Sequence, residues 1–169
     1  SNASLTTRSV LVSGGSRGIG AAIVDRFAAD GHRVANLSRS GQGTANGCLD
    51  IACDVTEAES VKLAVKQAAT DNGAVEVLIA NAGITDDKLM LRMDEASFTN
   101  VLDTNLTSAY RLVKAVSGPM LRNRWGRIVF ISSVVAMSGS AGQANYAASK
   151  AGLIGLARSL AREFGPRGV

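Results

Sequence analysis

The chain is expected to be an α/β protein, a doubly wound parallel sheet with helices on both faces. Three observations predict this. Short apolar runs alternate with longer segments whose apolar residues recur at helical spacing. The short runs are apolar at successive positions, as parallel strands covered on both faces are. A glycine-rich turn joins the first run directly to the first periodic segment.

Strands are predicted at residues 9–13, 33–38, 48–54, 75–80 and 127–132, each too apolar on both sides to face water. A first helix at 18–30 carries Ile19, Ile23 and Phe27 at four-residue spacing, and Gly31 stops it. Thr56 and Glu59 form a capping-box pattern that starts a second helix running to Asn72 and Gly73. Residues 94–123 hold two helices or one bent one, with Gly118 and Pro119 expected to disturb the far end. From Asn145 onward Leu153, Leu156, Leu160 and Phe164 make an apolar stripe that Gly165 and Pro166 end. The stripe is read as core packing, with contact to a partner helix as an added use. Residues 38–47 read as a surface loop rather than a domain boundary. Residues 1–3, Ser-Asn-Ala, read as a scar of tag removal, and residues 4–169 as one domain.

Bulk properties narrow the function. With 169 residues, 46% of them hydrophobic, the chain can bury a substantial core. Its net charge of +4 comes from scattered lysines and arginines, without the dense basic run or interleaved aromatics of a nucleic-acid binder. Cys48 and Cys53 have no second pair to complete a zinc site, so reduced thiols in a cytoplasmic protein are expected. His32 is the only histidine. That argues against a histidine-rich metal site, and against a Ser-His hydrolase unless His32 is placed for it. No metal is expected. No signal peptide or long apolar run is visible, so no membrane association is expected.

The turn Ser13-Gly14-Gly15-Ser16-Arg17-Gly18-Ile19-Gly20 lies between the first strand and the first helix. Glycines there let the backbone approach a pyrophosphate, while the helix N-terminus supplies free amides and partial positive charge. The context is that of a Rossmann-type dinucleotide site, although the spacing is Gly-x-x-x-Gly-x-Gly. At the end of the second strand, where an acid would hold a ribose 2′-hydroxyl, the chain reads Ser38-Arg39-Ser40. Arg17 and Arg39 would instead welcome a 2′-phosphate, so NADP (NADPH) is predicted over NAD, with ordinary solvated surface charge as the competing reading of both arginines. Asp54, followed by Val55, can accept a hydrogen bond from an adenine amino group. The small residues of Asn81-Ala82-Gly83 would let a ribose lie against the backbone. Plain turn chemistry is the competing reading of Asp54 and of the Asn-Ala-Gly stretch.

Tyr146 and Lys150 stand four apart in Tyr146-Ala147-Ala148-Ser149-Lys150 and therefore share one helix face. An ammonium beside a phenol favours the phenolate and eases proton release, which is acid-base chemistry. An amphipathic helix start would show the same spacing.

With these residues assembled, the chain resembles the short-chain dehydrogenase/reductase family, most closely its bacterial 3-oxoacyl-(acyl-carrier-protein) reductase branch. The likeness runs from Val10 to Val169. Ser13 stands where the family usually has Thr. Asn81-Ala82-Gly83 matches the family's Asn-Ala-Gly, with Ala80 where another Asn is common. Asn105 falls at the catalytic asparagine, Ser133 at the catalytic serine with Ser132 as the alternative, and Tyr146 and Lys150 complete the tetrad. The stretch from Gly142 to Ala148 resembles the carrier-protein reductase branch in particular.

The resemblance implies reduction of a 3-oxoacyl thioester by NADPH, in fatty-acid synthesis. Tyr146 would act as the proton donor, Ser133 would hold the keto oxygen, and Lys150 would bind the nicotinamide ribose. Asn105 would anchor a water that resupplies the proton. It places Gln143, Arg124 and Arg167 at substrate or carrier docking, with cations at the pocket mouth meeting an acidic acyl carrier protein; solvated surface charge is the competing reading of the two arginines. It also implies a homotetramer. Family members continue with a further strand, a Pro-Gly loop, a substrate lid and a last strand, so the C-terminal part of the fold is expected to be absent from this chain. Reduction of acetoacetyl-coenzyme A or another small ketone, or a non-catalytic NADP-binding regulatory domain, are the alternatives.

Overall fold

The structure, a computed structural model, describes residues 6–43 and 47–169. The tag reading of residues 1–3 and the loop residues 44–46 lie outside the described residues. Five strands form one parallel sheet: β1 (Ser9–Ser13), β2 (Arg33–Ser38), β3 (Leu49–Ala52), β4 (Val77–Ala80) and β5 (Arg127–Phe130). Their order is β3-β2-β1-β4-β5, and Val10 is in register with Val34 on one side and Val77 on the other. The chain winds outward from β1 to β3 and then crosses to β4 on the opposite side. This reversal opens a crevice at the carboxyl ends of β1 and β4.

The helices are α1 (Gly18–Ala29), α2 (Ala58–Asn72), α3 (Glu95–Leu102), α4 (Ser108–Asn123), α5 (Val135–Ser138) and α6 (Ala144–Phe164). On one face Leu11, Leu37, Ile51 and Leu78 pack with residues of α2, α4 and α6, among them Val61, Leu112 and Leu153. On the other, Val10, Val12, Val34, Val77 and Ile79 meet Val24 of α1, with Ile23 and Phe27 packed alongside. Successive strand residues thus serve opposite cores, which is why each run reads as continuously apolar. The stripe on α6 behaves as core: Leu153 is buried, and Leu156, Leu160 and Phe164 pack against the same cluster.

Several expectations need correction. Strands three to five are shorter than their apolar runs, and beyond β3 and β5 side chains take over backbone groups. The N–H of Asp54 donates to Ser60 Oγ at 3.0 Å, and Lys150 Nζ donates to the Ile131 carbonyl at 2.7 Å. β5 is not covered on both faces: it lies at the sheet edge, Arg127 is exposed and Val129 is 42% exposed. Ile19 does not join the α1 stripe but stands 67% exposed at the helix start.

The capping box does not close. Thr56 donates from both its N–H and its hydroxyl to Asp54 Oδ1, at 2.9 and 2.6 Å, and α2 starts at Ala58 without a side-chain cap. Pro119 leaves α4 intact to Asn123. It stands in the last turn but one, where the missing N–H frees one carbonyl only. The helix ends instead at Arg124, in the left-handed region with φ 54°. The 94–123 segment is one helical path interrupted by a π-helical turn, Asp103–Thr107, between α3 and α4. Among the described residues no helix is long and apolar enough to cross a membrane.

Candidate active site

The turn after β1 is built for close approach of backbone. Gly14 has φ +69°, and a Cβ there would sit 2.9 Å from Ala82 Cα. A Cβ on Gly20 would run into the Gly14 carbonyl oxygen. Ser13 Oγ accepts from the N–H groups of Asn81 and Ala82 at 3.0 and 3.1 Å, and Asn81 Nδ2 donates back to Gly14 O at 3.1 Å. These three bonds lace the turns after β1 and β4 together. Below them the buried Asn36 accepts from Gly15 N–H at 2.9 Å and donates to Asp50 at 3.0 Å.

The laced turns floor a cleft of about 690 Å³. Gly14, Ser16, Arg17, Gly18, Ile19 and Gly20 border it from the glycine turn, Arg39 from the end of β2, and Asp54 and Val55 from the loop after β3. Asn81, Ala82 and Gly83 border it after β4. The glycine-turn side is open to an anion: α1 starts without a side-chain cap and has no acid in its first turn, so its first N–H groups have no intrahelical partner. Arg17 and Arg39 are exposed at the rim, and Arg39 stands 3.9 Å from Asp54 Oδ2. The Thr56 hydrogen bonds, ahead of Arg39, hold the Asp54 carboxyl below its usual range. A dinucleotide fits this combination of volume, missing side chains, free amides and rim cations.

Sequence reasoning missed other lining residues. Leu37, Ser38, Ser40, Cys53 and Thr56 follow from the rule that ligands meet the carboxyl ends of parallel strands. Ile84 could have been found as the next residue after Asn-Ala-Gly. Thr104 could not, since it reaches the cleft only through the π-helical turn.

Tyr146 and Lys150 lie at the start of α6, and Lys150 Nζ is 5.7 Å from the centroid of the Tyr146 ring. Lys150 is buried, with Nζ held by the Ile131 carbonyl. Neither residue is among those bordering the cleft, but they connect to it through Gly83: a Cβ on Gly83 would lie 3.4 Å from Asn105 Oδ1 and 3.6 Å from Lys150 Nζ. Asn105 is buried in the π-helical turn. Its Oδ1 accepts from Ile84 N–H at 2.8 Å, and its Nδ2 donates to Ile84 O at 3.0 Å and to Ser149 Oγ at 3.1 Å. Ser149 Oγ in turn donates to Tyr146 O at 2.7 Å.

Ser132 and Ser133 differ in what their hydroxyls do. Ser132 Oγ donates to the Lys150 carbonyl at 2.9 Å, whereas Ser133 Oγ accepts from Val135 N–H at 3.2 Å and keeps its own proton to donate. Gln143, just before α6, donates from Nε2 to the Asp87 carboxylate at 3.2 and 3.3 Å. Buried Asn145, which the sequence did not mark, accepts from Tyr146 N–H at 2.8 Å and donates to the carbonyls of Asp86 and Ser97.

Arg124 and Arg167 are brought together, but not at the cleft. Arg124 donates to Pro166 O at 3.0 Å and Arg167 to Leu121 O at 3.3 Å. They stand where β5 begins and α6 has ended, and the 21 residues of α6 run about 30 Å away from the Tyr146 end. Within one copy of the chain they do not flank the pocket mouth, as the sequence reading expected. The reason is that the parallel strands put the ends of α4 and α6 at the amino edge of the sheet and the cleft at the carboxyl edge. His32 is also remote from the cleft, accepting from Arg8 N–H at 3.0 Å beside Phe27.

Burial pushes the Lys150 ammonium below its ordinary pKa of 10.5. Below the lowered value both folded and unfolded chains carry the proton, and the burial penalty is felt in full. Between the lowered value and 10.5 the unfolded chain binds more protons, so this residue's contribution to stability rises with pH. In thermal melts, the stability of the native chain relative to Lys150→Met should therefore shift in favour of the native chain as pH climbs toward 10.5. A pH-independent difference would contradict the assigned burial.

The comparisons with known proteins agree with this geometry. The family model described as short chain dehydrogenase matches residues 8–169. The 3-oxoacyl-[acyl-carrier-protein] reductase MabA of Mycobacterium tuberculosis (strain ATCC 25618 / H37Rv) is 48% identical over 163 residues, covering 96% of this chain and 66% of that protein. The reductases of the same description named FabG are 45% identical in Vibrio cholerae and 44% in Escherichia coli (strain K12), each over 167 residues, covering 94% of this chain and 68% of the relative. The chain thus spans about two thirds of the length of these relatives. It belongs to the short-chain dehydrogenase family.

Proposed function

We propose that this protein is an NADPH-dependent oxidoreductase that reduces the keto group of a 3-oxoacyl thioester. The observation that carries the reading is the convergence at Gly83, where a dinucleotide-sized cleft meets Asn105 and the buried Lys150 beside Tyr146. The names of the MabA and FabG relatives support the substrate class.

When bound, the dihydronicotinamide supplies hydride for the keto carbon. The remaining work falls to the chain. Tyr146 donates the proton that the developing alkoxide needs, with the ammonium of Lys150 close enough to favour its departure. Ser133, whose hydroxyl proton is uncommitted, donates to the same oxygen and holds it in place. Both Nδ2 protons of Asn105 are used within the protein, so a water anchored there would be held through its acceptor oxygens. Arg17 and Arg39 favour a 2′-phosphate, and hence NADPH over NADH.

In this reading residues 4–169 act as a single NADP-binding unit in the cytoplasm, within a homo-oligomer, and an acyl carrier protein presents the substrate. One observation favours the second reading, a coenzyme A thioester or another small ketone: Arg124 and Arg167 stand at the sheet edge opposite the cleft.

The test follows NADPH consumption with acetoacetyl thioesters on carrier protein and on coenzyme A. The native protein should turn over the carrier-linked substrate, and Tyr146→Phe should lose on the order of 10²–10⁴-fold in kcat with NADPH affinity nearly unchanged. Substantial reductase activity in Tyr146→Phe would refute the assigned role. Equal kcat/KM on both thioesters would select the second reading.

A further inference from the structure

Arg111 is a nearly buried charge that the mechanism above does not use. It lies on α4 with its side chain 18% exposed, and its guanidinium is divided between two segments that both border the cleft. Nη1 donates to the Val55 carbonyl at 3.1 Å, in the loop where an adenosine is expected to lie. Nη2 donates to Asp103 Oδ1 at 2.7 Å. Asp103 opens the π-helical turn, next to Thr104, which borders the cleft, and two residues before Asn105. One rigid fork therefore spans from the cofactor loop to the turn that carries Asn105.

Packing alone does not require this arrangement. α4 is already held to the sheet and α2 by Ala109, Leu112, Val113 and Val116, so the helix would dock with an apolar side chain at position 111. The far ends of the strut are themselves fixed. On the Val55 side Thr56 donates twice to Asp54, and on the Asp103 side Asn105 bonds Ile84 and Ser149. Ser149 leads on to the Tyr146 carbonyl. A displacement of the 54–56 loop thus has a continuous, directional route to the first turn of α6. π-Helical turns are local insertions that occur frequently at functional sites.

We propose that Arg111 is a positioning residue that couples dinucleotide binding at the 54–56 loop to the geometry of the Asn105 turn. The proposal rests on the cofactor reading given above. By linkage the coupling is reciprocal: fixing the turn strengthens cofactor binding, and bound cofactor orders the turn. Removing the guanidinium separates the two segments while each keeps its other contacts.

The test is hydrogen exchange of residues 53–57 and 103–107 with and without NADPH, together with the NADPH dissociation constant from calorimetry. In the native protein NADPH should slow exchange in both segments. In Arg111→Met it should slow exchange in 53–57 only, with affinity weakened about tenfold, within the usual range of coupling between sites. Asp103→Asn should show the same split, and the double variant should lose little more than either single one.

Protection of 103–107 on NADPH addition that is unchanged in Arg111→Met, or losses that simply add in the double variant, would overturn the proposal. Should Arg111→Met not fold, Asp103→Asn decides alone: loss of the transmitted protection supports the coupling and its retention overturns it. A native protein that binds no NADPH would sink the cofactor reading itself. Binding without the transmitted protection would sink only the role of Arg111.

Discussion

Two backbone turns that approach without side chains between them are the constraint on which the rest depends. The turns after β1 and β4 meet where Gly14 faces Ala82, held by one hydroxyl that accepts two N–H groups and by one amide that returns a bond. Each of those bonds contributes only about 1 kcal/mol net, yet leaving the paired groups buried and unsatisfied would cost more. A Cβ on Gly14 or Gly20 would push the turns apart. The crevice at the switch point is therefore a consequence of strand order, and its depth a consequence of glycine.

From that junction the chemistry follows along β4. Gly83 is the point at which the cleft touches Asn105 and Lys150, and a Cβ there would already stand in van der Waals contact with both. Lys150 is fixed by the Ile131 carbonyl, its own carbonyl receives the Ser132 hydroxyl, and Ser149 ties the Tyr146 carbonyl to Asn105. The groups proposed to react are thus set by helices and strand ends rather than by free loops, an arrangement that would limit the reorganisation needed during reaction. The basic end formed by Arg124 and Arg167 is a separate feature at the opposite sheet edge.

Much of this was legible in the sequence because the signals were local. Continuous apolar runs gave the parallel strands, Gly14, Gly18 and Gly20 gave the close-approach turn at the cleft, and four-residue spacing put Tyr146 and Lys150 on one face. What was not legible depended on contacts distant in the chain. The open face of β5 follows from its place at the sheet edge, which an apolar run does not reveal. Thr56 could have capped α2, but its N–H and hydroxyl both turn to Asp54, and Glu57 takes the N-cap position instead. The π-helical turn has no composition of its own: Asp103 is drawn to Arg111 and Asn105 to Ile84, partners 8 and 21 residues away. Ile19 fits a helical stripe by spacing, yet the first turn of α1 projects over the cleft rather than the core. Arg124 and Arg167 were matched by position along the chain, which says nothing about which edge of the sheet they occupy.

The central claim is that the glycine-floored crevice with Arg17 and Arg39 at its rim is a dinucleotide site that prefers a 2′-phosphate. Calorimetric titration of the purified protein with NADPH and with NADH tests it most directly. Binding of NADPH at least about tenfold tighter than NADH, a difference of roughly 1.4 kcal/mol, is the result the account predicts. Equal affinity for the two, or binding of neither, would contradict it.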